Sequence, residues 1–193
     1  MPQNMLIVNG HPYAQSYCAA LADAYAAGAR AGGANVQRLE LHELKFDPNL
    51  RHGYASRMEL EPDLVAAQEQ IRRADHLVWV YPIWWGAMPA QLKGFIDRVF
   101  LPGFAYKYRT DSVLWDKLLQ GKSARLIVTM DTPGWYNRLF YKQAGHIVMK
   151  RNILGFCGIK PVRITSLGPV RGSSDTRRAR WLEQVKLLGR AGK

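Results

Sequence analysis

The chain has 193 residues, 48% of them hydrophobic and 22% charged, a composition typical of a single globular domain spanning 1–193. No apolar run approaches 18 residues and no secretion signal opens the chain, so we expect a cytoplasmic protein without a membrane span. The net charge of +12 arises from residues 122–193, which contain 15 basic and 3 acidic residues. The sequence has no nucleic-acid-binding motif, so this charge indicates either a solvated basic face or an attraction for anionic ligands.

Hydrophobic patterning in the first 41 residues predicts a strand, a helix and a second strand. Residues 5–8 are apolar, residues 16–31 have apolar positions at helical spacing, and residues 36–41 alternate between apolar and polar side chains. Ser16 is a suitable N-cap for the helix. This order is typical of the opening βαβ unit of a doubly wound sheet.

The stretch from residue 74 to residue 108 carries two adjacent tryptophans in a loop. An apolar run at 77–81 predicts a strand buried on both faces, and a helix with apolar positions at helical spacing begins after Pro89. The loop between them contains Trp84 and Trp85. Large aromatic side chains are costly to expose, so these two either cover the sheet end or a subunit interface, or flank a flat aromatic cofactor.

The remaining elements continue the alternation of strands and helices. We expect a polar surface connection at 45–62, a helix from residue 62, an irregular stretch at 102–122, and strands at 124–130 and 159–167. Residues 135–150 are aromatic but weakly patterned, and a last helix follows a cap at Ser173 or Ser174. Five strands alternating with helices predict a three-layer α/β sandwich.

Three segments carry a family resemblance. Residues 82–89 read PIWWGAMP, residues 92–99 read LKGFIDRV, and residues 103–106 read GFAY. Together they resemble the signature block of the flavodoxin-fold NAD(P)H:quinone oxidoreductases, the DT-diaphorase-like family. The resemblance implies a flavodoxin-like parallel sheet of order 2-1-3-4-5 and a bound FMN, with FAD as the alternative. It further implies a homodimer and ping-pong hydride transfer from NAD(P)H through the flavin to a quinone or similar flat acceptor.

The candidate flavin site consists of three loops at strand ends. The first loop runs into a helix start, where backbone amides and the helix dipole attract an anion, although neither GxxxxGK[ST] nor GxGxxG is present. Pro133 in the third loop has no backbone donor. The resemblance implies that the three loops bind the flavin through His11, Ser16, Tyr17 and Cys18, through Pro82, Ile83, Trp84, Trp85 and Gly86, and through Asp131, Thr132, Pro133 and Gly134.

The resemblance suggests roles for three more side chains. Gln68 would contact the cofactor, while Tyr141 and His146 would assist hydride transfer. Judged by the residues alone, Gln68 is equally a surface glutamine, and a histidine in an aromatic segment is more often structural. The chain's two cysteines, Cys18 and Cys157, form no CxxC pair and no metal-ligand pattern, so we expect reduced thiols and no metal site.

Two other functions fit the same fold. One is a flavin-bearing regulatory subunit of a glutathione-gated potassium efflux system, which would use the basic C-terminal third as a docking face. The other is a one-electron carrier like flavodoxin, which the basic charge disfavours because such carriers tend to be acidic.

Overall fold

The computed structural model describes residues 2–192 and is built around a five-stranded parallel sheet. The strands in chain order are β1 (Asn4–Asn9), β2 (Asn35–Glu40), β3 (His76–Pro82), β4 (Tyr106–Tyr108), β5 (Trp115–Lys117), β6 (Ser123–Thr129) and β7 (Val162–Leu167). The large sheet has the order β2-β1-β3-β6-β7, while β4 and β5 form a separate antiparallel pair. The order 2-1-3-4-5 predicted for the five main strands is therefore confirmed.

Helices cover both faces of the sheet. They are α1 (Tyr17–Ala31), α2 (Pro62–Arg73), α3 (Ala90–Val99), α4 (Gly134–Leu139), α5 (Ala144–Ile147), a π-helical segment (Val148–Gly155) and α6 (Asp175–Arg190). One apolar cluster joins the sheet to α1 and α6, and the other joins it to α2, α3 and the π-helical segment. Among residues 2–192, no helix is both long enough and apolar enough to cross a membrane.

The central strand β3 is buried along its whole length, as its apolar sequence predicts. The helices α1 and α6 then approach each other at two glycines. A Cβ atom on Gly28 would lie 1.9 Å from the Lys186 carbonyl oxygen, and one on Gly189 would lie 2.2 Å from the Tyr25 carbonyl oxygen. Any larger side chain at these positions would collide with backbone, so glycine permits the close crossing.

The long connection between β2 and α2 is tied to the body of the protein by Arg98 on α3. The fully buried Arg98 guanidinium donates hydrogen bonds to the carbonyl oxygens of Asp47 and Glu59, at 2.6 and 2.8 Å. It also forms an ion pair with Glu61 at 2.8 Å. A buried side chain thus helps to anchor the segment, which its polarity predicts to be a surface connection.

The structure corrects three predicted elements. The irregular stretch at 102–122 contains the pair β4–β5, whose three-residue strands are too short to produce a clear pattern. The weakly patterned segment at 135–150 is largely helical, in α4, α5 and the start of the π-helical segment. The fifth strand begins at Val162 rather than at residue 159. Of the two caps predicted for the last helix, Ser174 is the one that caps α6.

Candidate functional site

Three loops leave the sheet at the same edge because the strands that precede them are in register. Asn9 at the end of β1 pairs with Val80 of β3, and Pro82 at the end of β3 pairs with Thr129 at the end of β6. The first residues beyond the strands remain attached, since Ile83 N–H donates to Thr129 O at 2.8 Å. The crevice lies where the sheet order reverses, the usual ligand position in open α/β sheets.

The first loop ends at the N-terminus of α1, which is prepared for an anion. Ser16 caps the helix by accepting a hydrogen bond from Ala19 N–H at 3.2 Å, so its hydroxyl proton is still available to a ligand. The backbone N–H groups of Tyr17 and Cys18 open the helix and have no intrahelical acceptor. Burial raises the pKa of the Cys18 thiol to about 11, so this cysteine is protonated at neutral pH and is not a nucleophile.

His11 at the start of this loop is held in one tautomer. Tyr13 N–H donates to His11 Nδ1 at 3.0 Å, which leaves Nε2 to carry the proton of the neutral ring. Burial lowers the pKa of His11 and favours this neutral form. The imidazole packs edge-on against Trp84, with ring centroids 5.4 Å apart. His11 is therefore positioned as a hydrogen-bond donor beside the helix N-terminus.

The second loop presents its two tryptophans in different directions. Trp84 and Ala87 exchange two backbone hydrogen bonds around a two-residue turn, in which Trp85 and Gly86 have φ angles of 50° and 77°. Positive φ at both central positions is typical of a type I′ turn. It is costly for a bulky residue, and such strain is characteristic of functional loops. The Trp85 side chain is fully exposed, whereas that of Trp84 is about half exposed.

The turn rests directly on α5. A Cβ atom on Gly145 would lie 2.5 Å from the Gly86 carbonyl oxygen and 3.3 Å from Ile83 Cδ1. Only a glycine lets the α5 backbone come this close to the tryptophan turn. The segment that carries α4 and α5 therefore determines where Trp85 stands.

The third loop passes from β6 into α4. Asp131 Oδ1 accepts a hydrogen bond from Arg171 N–H at 2.7 Å, which ties the loop to the one that follows β7. Pro133 is the N-cap of α4 and has no N–H to offer, as the sequence predicts. The amide of Gly134, the first residue of α4, has no intrahelical acceptor.

Two adjoining cavities lie over the strand ends and share Ile83 and Met130. The smaller, of about 180 Å³, we call the phosphate-side cavity; it is lined by His11, Tyr17, Cys18, Pro82, Ile83, Trp84, Thr129, Met130, Asp131 and Val170. The larger, of about 560 Å³, we call the ring-side cavity; it is lined by Ile83, Trp85, Gly86, Met130, Thr132, Asn137, Tyr141, Ala144 and Gly145. Most of the candidate site residues are thus brought together, with Ser16, Pro133 and Gly134 in the loops that border the cavities.

Two candidates lie elsewhere in the described chain. The Gln68 side chain donates to the carbonyl oxygen of Val99 at 2.8 Å, so it joins α2 to α3 instead of reaching the crevice. His146 is buried, and its Nε2 atom lies 2.8 Å from Ser166 Oγ on β7. Burial lowers the pKa of His146, which makes it a neutral group within the fold. Packing of the helices, which local sequence does not reveal, accounts for both positions.

Several lining residues were missed by the sequence reasoning. Thr129 and Met130 lie at the end of β6, and their position beside the predicted third loop could have identified them. Val170, Asn137 and Gly145 come from segments without a recognisable motif. Their contribution follows from the tertiary structure.

Comparisons with known proteins agree with the observed fold. A family model described as flavodoxin-like fold, Flavodoxin_2, matches residues 3–187. An uncharacterized NAD(P)H oxidoreductase of Haemophilus influenzae is 30% identical over 190 residues, which cover 93% of this chain and 91% of that protein.

Two solved structures share the fold. The NAD(P)H:quinone oxidoreductase from Methanothermobacter marburgensis superposes with a TM-score of 0.84 at 24% identity and covers 100% of both chains. An FMN-dependent NADH-azoreductase from Bacillus anthracis, in complex with FMN, gives a TM-score of 0.75 at 14% identity and covers 98% of both chains. The family match over residues 3–187 establishes that this chain belongs to the Flavodoxin_2 family, which has the flavodoxin-like fold and includes NAD(P)H oxidoreductases.

Proposed function

We propose that this protein is a flavin-dependent NAD(P)H oxidoreductase that reduces quinones or similar flat acceptors. The observation that carries the proposal is the pair of adjoining cavities. One reaches the N-terminus of a long helix, and the other lies against a strained turn with a fully exposed tryptophan. A phosphate linked by a short chain to a flat ring system has this shape and polarity.

The donors in the crevice match a flavin mononucleotide. Ser16 Oγ, the first amides of α1 and His11 Nε2 are all hydrogen-bond donors, which suits a phosphate. The carboxylate of Asp131, which also lines the phosphate-side cavity, accepts a hydrogen bond from Arg171 N–H through its Oδ1 atom. Ile83 and Met130 provide an apolar floor common to both cavities. FMN is the bound group reported in the Bacillus anthracis structure of the same fold. A bound flavin would supply the hydride chemistry, which no protein side chain provides.

The residues of the ring-side cavity would bind and orient the electron donor and the acceptor. Trp85 offers an indole face on which a flat acceptor or a nicotinamide ring can stack. The Tyr141 hydroxyl can donate a hydrogen bond to a quinone oxygen, which gains a proton when the quinone is reduced. The overall reaction, NAD(P)H + quinone + H⁺ → NAD(P)⁺ + hydroquinone, balances in atoms and charge. His146 has no place in this proposal because it is buried against Ser166.

FAD is a second candidate, favoured by the surface beyond Tyr17. The Tyr17 ring contacts Trp181 with centroids 6.4 Å apart, and the Arg177 guanidinium lies 4.9 Å from the centre of the Trp181 ring. A cation and two aromatic rings next to the phosphate-side cavity would suit an adenine moiety. Chromatography of the flavin released from the purified protein distinguishes FMN from FAD.

The test of the proposed function uses purified protein reconstituted with flavin. We expect a yellow protein that oxidises NAD(P)H when 2-methyl-1,4-naphthoquinone is added. Parallel lines in double-reciprocal plots would support alternating binding of donor and acceptor at one site. A colourless protein that takes up neither flavin refutes the proposal, and so does a flavin-loaded protein that does not turn over. Turnover also separates an enzyme from a purely regulatory subunit.

A further inference from the structure

An exposed apolar and aromatic surface runs along α4 and the two residues that follow it, at the edge of the ring-side cavity. We define the aromatic ridge as Trp135, Leu139, Phe140 and Tyr141, whose side chains are between 51% and 63% exposed. A contiguous group of large apolar side chains at the surface usually marks a binding site. The ridge is therefore a candidate binding surface.

The ridge is ordered by contacts among its own rings. Tyr136 stacks on Phe140 with centroids 4.5 Å apart and an interplanar angle of 22°, and it also meets Tyr141 edge-on at 5.1 Å. Trp135 contacts both Tyr136 and Phe140, at 5.6 and 6.3 Å. This network connects the exposed rings of Trp135, Phe140 and Tyr141 through Tyr136.

The ridge continues the candidate site. Tyr141 belongs to the ridge and also lines the ring-side cavity together with Trp85. The same chain segment reaches the tryptophan turn at the contact between Gly145 and Gly86. Tyr141 contacts the Tyr136 ring, which in turn stacks on Phe140, so the ridge is connected to the ring-side cavity through packed rings.

We propose that the physiological acceptor is a quinone with an apolar side chain, such as a prenyl chain, and that the aromatic ridge binds this chain. The inference rests on the proposed function and narrows its substrate class. The four ridge side chains are apolar or aromatic, so they suit a hydrocarbon chain. The basic residue Arg138 lies between ridge residues in sequence, and Lys142 follows the last of them.

The experiment compares three acceptors: 2-methyl-1,4-naphthoquinone and its 3-prenyl and 3-geranyl derivatives, all below their aggregation concentrations. In the wild-type protein we expect each added isoprene unit to lower KM severalfold, with kcat little changed. In the double variant Trp135→Ser/Phe140→Ser, the added isoprene units should lower KM much less than in the wild type. Its KM for the acceptor without a side chain should stay unchanged. Leu187→Ser removes a similarly exposed apolar side chain from α6 and should keep the whole gain.

Direct binding provides a readout that does not depend on turnover. Calorimetric titration of the oxidised proteins should give at least about tenfold tighter binding of the geranyl compound to the wild type than to the double variant. Phe140→Leu, which keeps an apolar side chain, should retain most of the affinity. If the double variant does not fold, the single variant Trp135→Ser answers the same question with a smaller change.

These experiments distinguish a failure of the ridge assignment from a failure of the proposed function. If none of the quinones is reduced, the proposed function fails and the ridge assignment fails with it. If 2-methyl-1,4-naphthoquinone is reduced but the side chain confers no gain, or the gain survives in the double variant, only the ridge assignment is wrong. It is also wrong if the double variant changes from dimer to monomer in light scattering, because the ridge would then be a subunit contact.

Discussion

Individual side chains divide the candidate site into two ends with different tasks. In the proposed site Ser16 and His11 lie at the phosphate end, where Trp84 packs edge-on against His11. Trp85 lies at the ring end, together with Tyr141. The prediction that both tryptophans flank one ring system therefore becomes a proposal about Trp85 alone.

This division predicts different kinetics for two variants. Ser16→Ala removes one hydrogen bond to a phosphate, so flavin affinity should fall by about 1 kcal/mol, or roughly fivefold. Excess flavin should then restore almost full turnover. Excess flavin should not restore the turnover of Trp85→Ala, because the acceptor has lost its stacking surface. An aromatic stacking contact contributes about 0.5–1.5 kcal/mol to binding beyond the burial of apolar area. Steady-state quinone reduction by both variants, measured across a flavin titration, tests these expectations. If excess flavin restores the full turnover of Trp85→Ala, Trp85 contributes only to packing.

A second residue-scale prediction concerns His76 at the start of β3. Burial, reinforced by the nearby charges of Arg125 and Arg163, lowers the pKa of His76 to about 4. Its ring nitrogens lie 2.7 Å from Ser123 Oγ and 3.4 Å from Tyr25 Oη. Between pH 6.5 and pH 4 the unfolded chain binds a proton here that the folded chain does not, so stability should fall as the pH is lowered through this window.

At pH 4, His76 should have lowered the free energy of unfolding by on the order of 3 kcal/mol relative to neutral pH. Urea unfolding at a series of pH values measures it. His76→Gln should flatten the dependence, whereas His52→Gln, which removes an exposed histidine, is the control. An equally steep dependence in His76→Gln would contradict the assignment.

At the scale of elements, the crossing of α1 and α6 depends on Gly28. Replacing an exposed helical glycine with alanine ordinarily stabilises a helix by about 1 kcal/mol. At Gly28 the added methyl group would meet the backbone of Lys186, so we expect a net destabilisation of about 1–3 kcal/mol. Thermal unfolding of Gly28→Ala against Ala27→Ser, an exposed neighbour on the same helix, tests this. A higher Tm for Gly28→Ala would show that the helices separate easily.

At the scale of the whole molecule, a second apolar surface lies away from the crevice. Tyr54, Tyr108, Val113 and Leu114 are all more than half exposed, and a cavity of about 620 Å³ opens between Tyr54 and Tyr108. Exposed aromatic residues of this kind commonly anchor subunits. We expect this surface to form the interface of a homodimer, in line with the family resemblance.

Light scattering at micromolar concentration should therefore give the mass of two chains. Tyr108→Asp places a charge in the interface and should shift the protein to a monomer. Leu187→Asp, on the exposed side of α6, should remain dimeric. A monomeric wild type, or a dimer that tolerates Tyr108→Asp, would contradict this interface.

The local hydrophobic pattern predicts the secondary structure well where the buried side chains recur with the period of a strand or a helix. The five main strands and the helices α1, α2, α3 and α6 were recognised because each hides a continuous apolar face. The pair β4–β5 and the short helices α4 and α5 were missed because elements of three to six residues leave no period to detect. The anion-binding end of α1 was visible in advance, since an N-cap and a helix start are local features.

The amino-acid sequence by itself determined the strand–loop–helix alternation, the three loops of the candidate site and the family resemblance. Only the tertiary structure decided which side chains meet there. It directed Gln68 to the carbonyl of Val99 and His146 to Ser166, and it brought Asn137 and Gly145 to the ring-side cavity. The physical reason is that backbone conformation follows from neighbours in sequence, whereas the direction of a side chain depends on helices and strands packed against it from far along the chain.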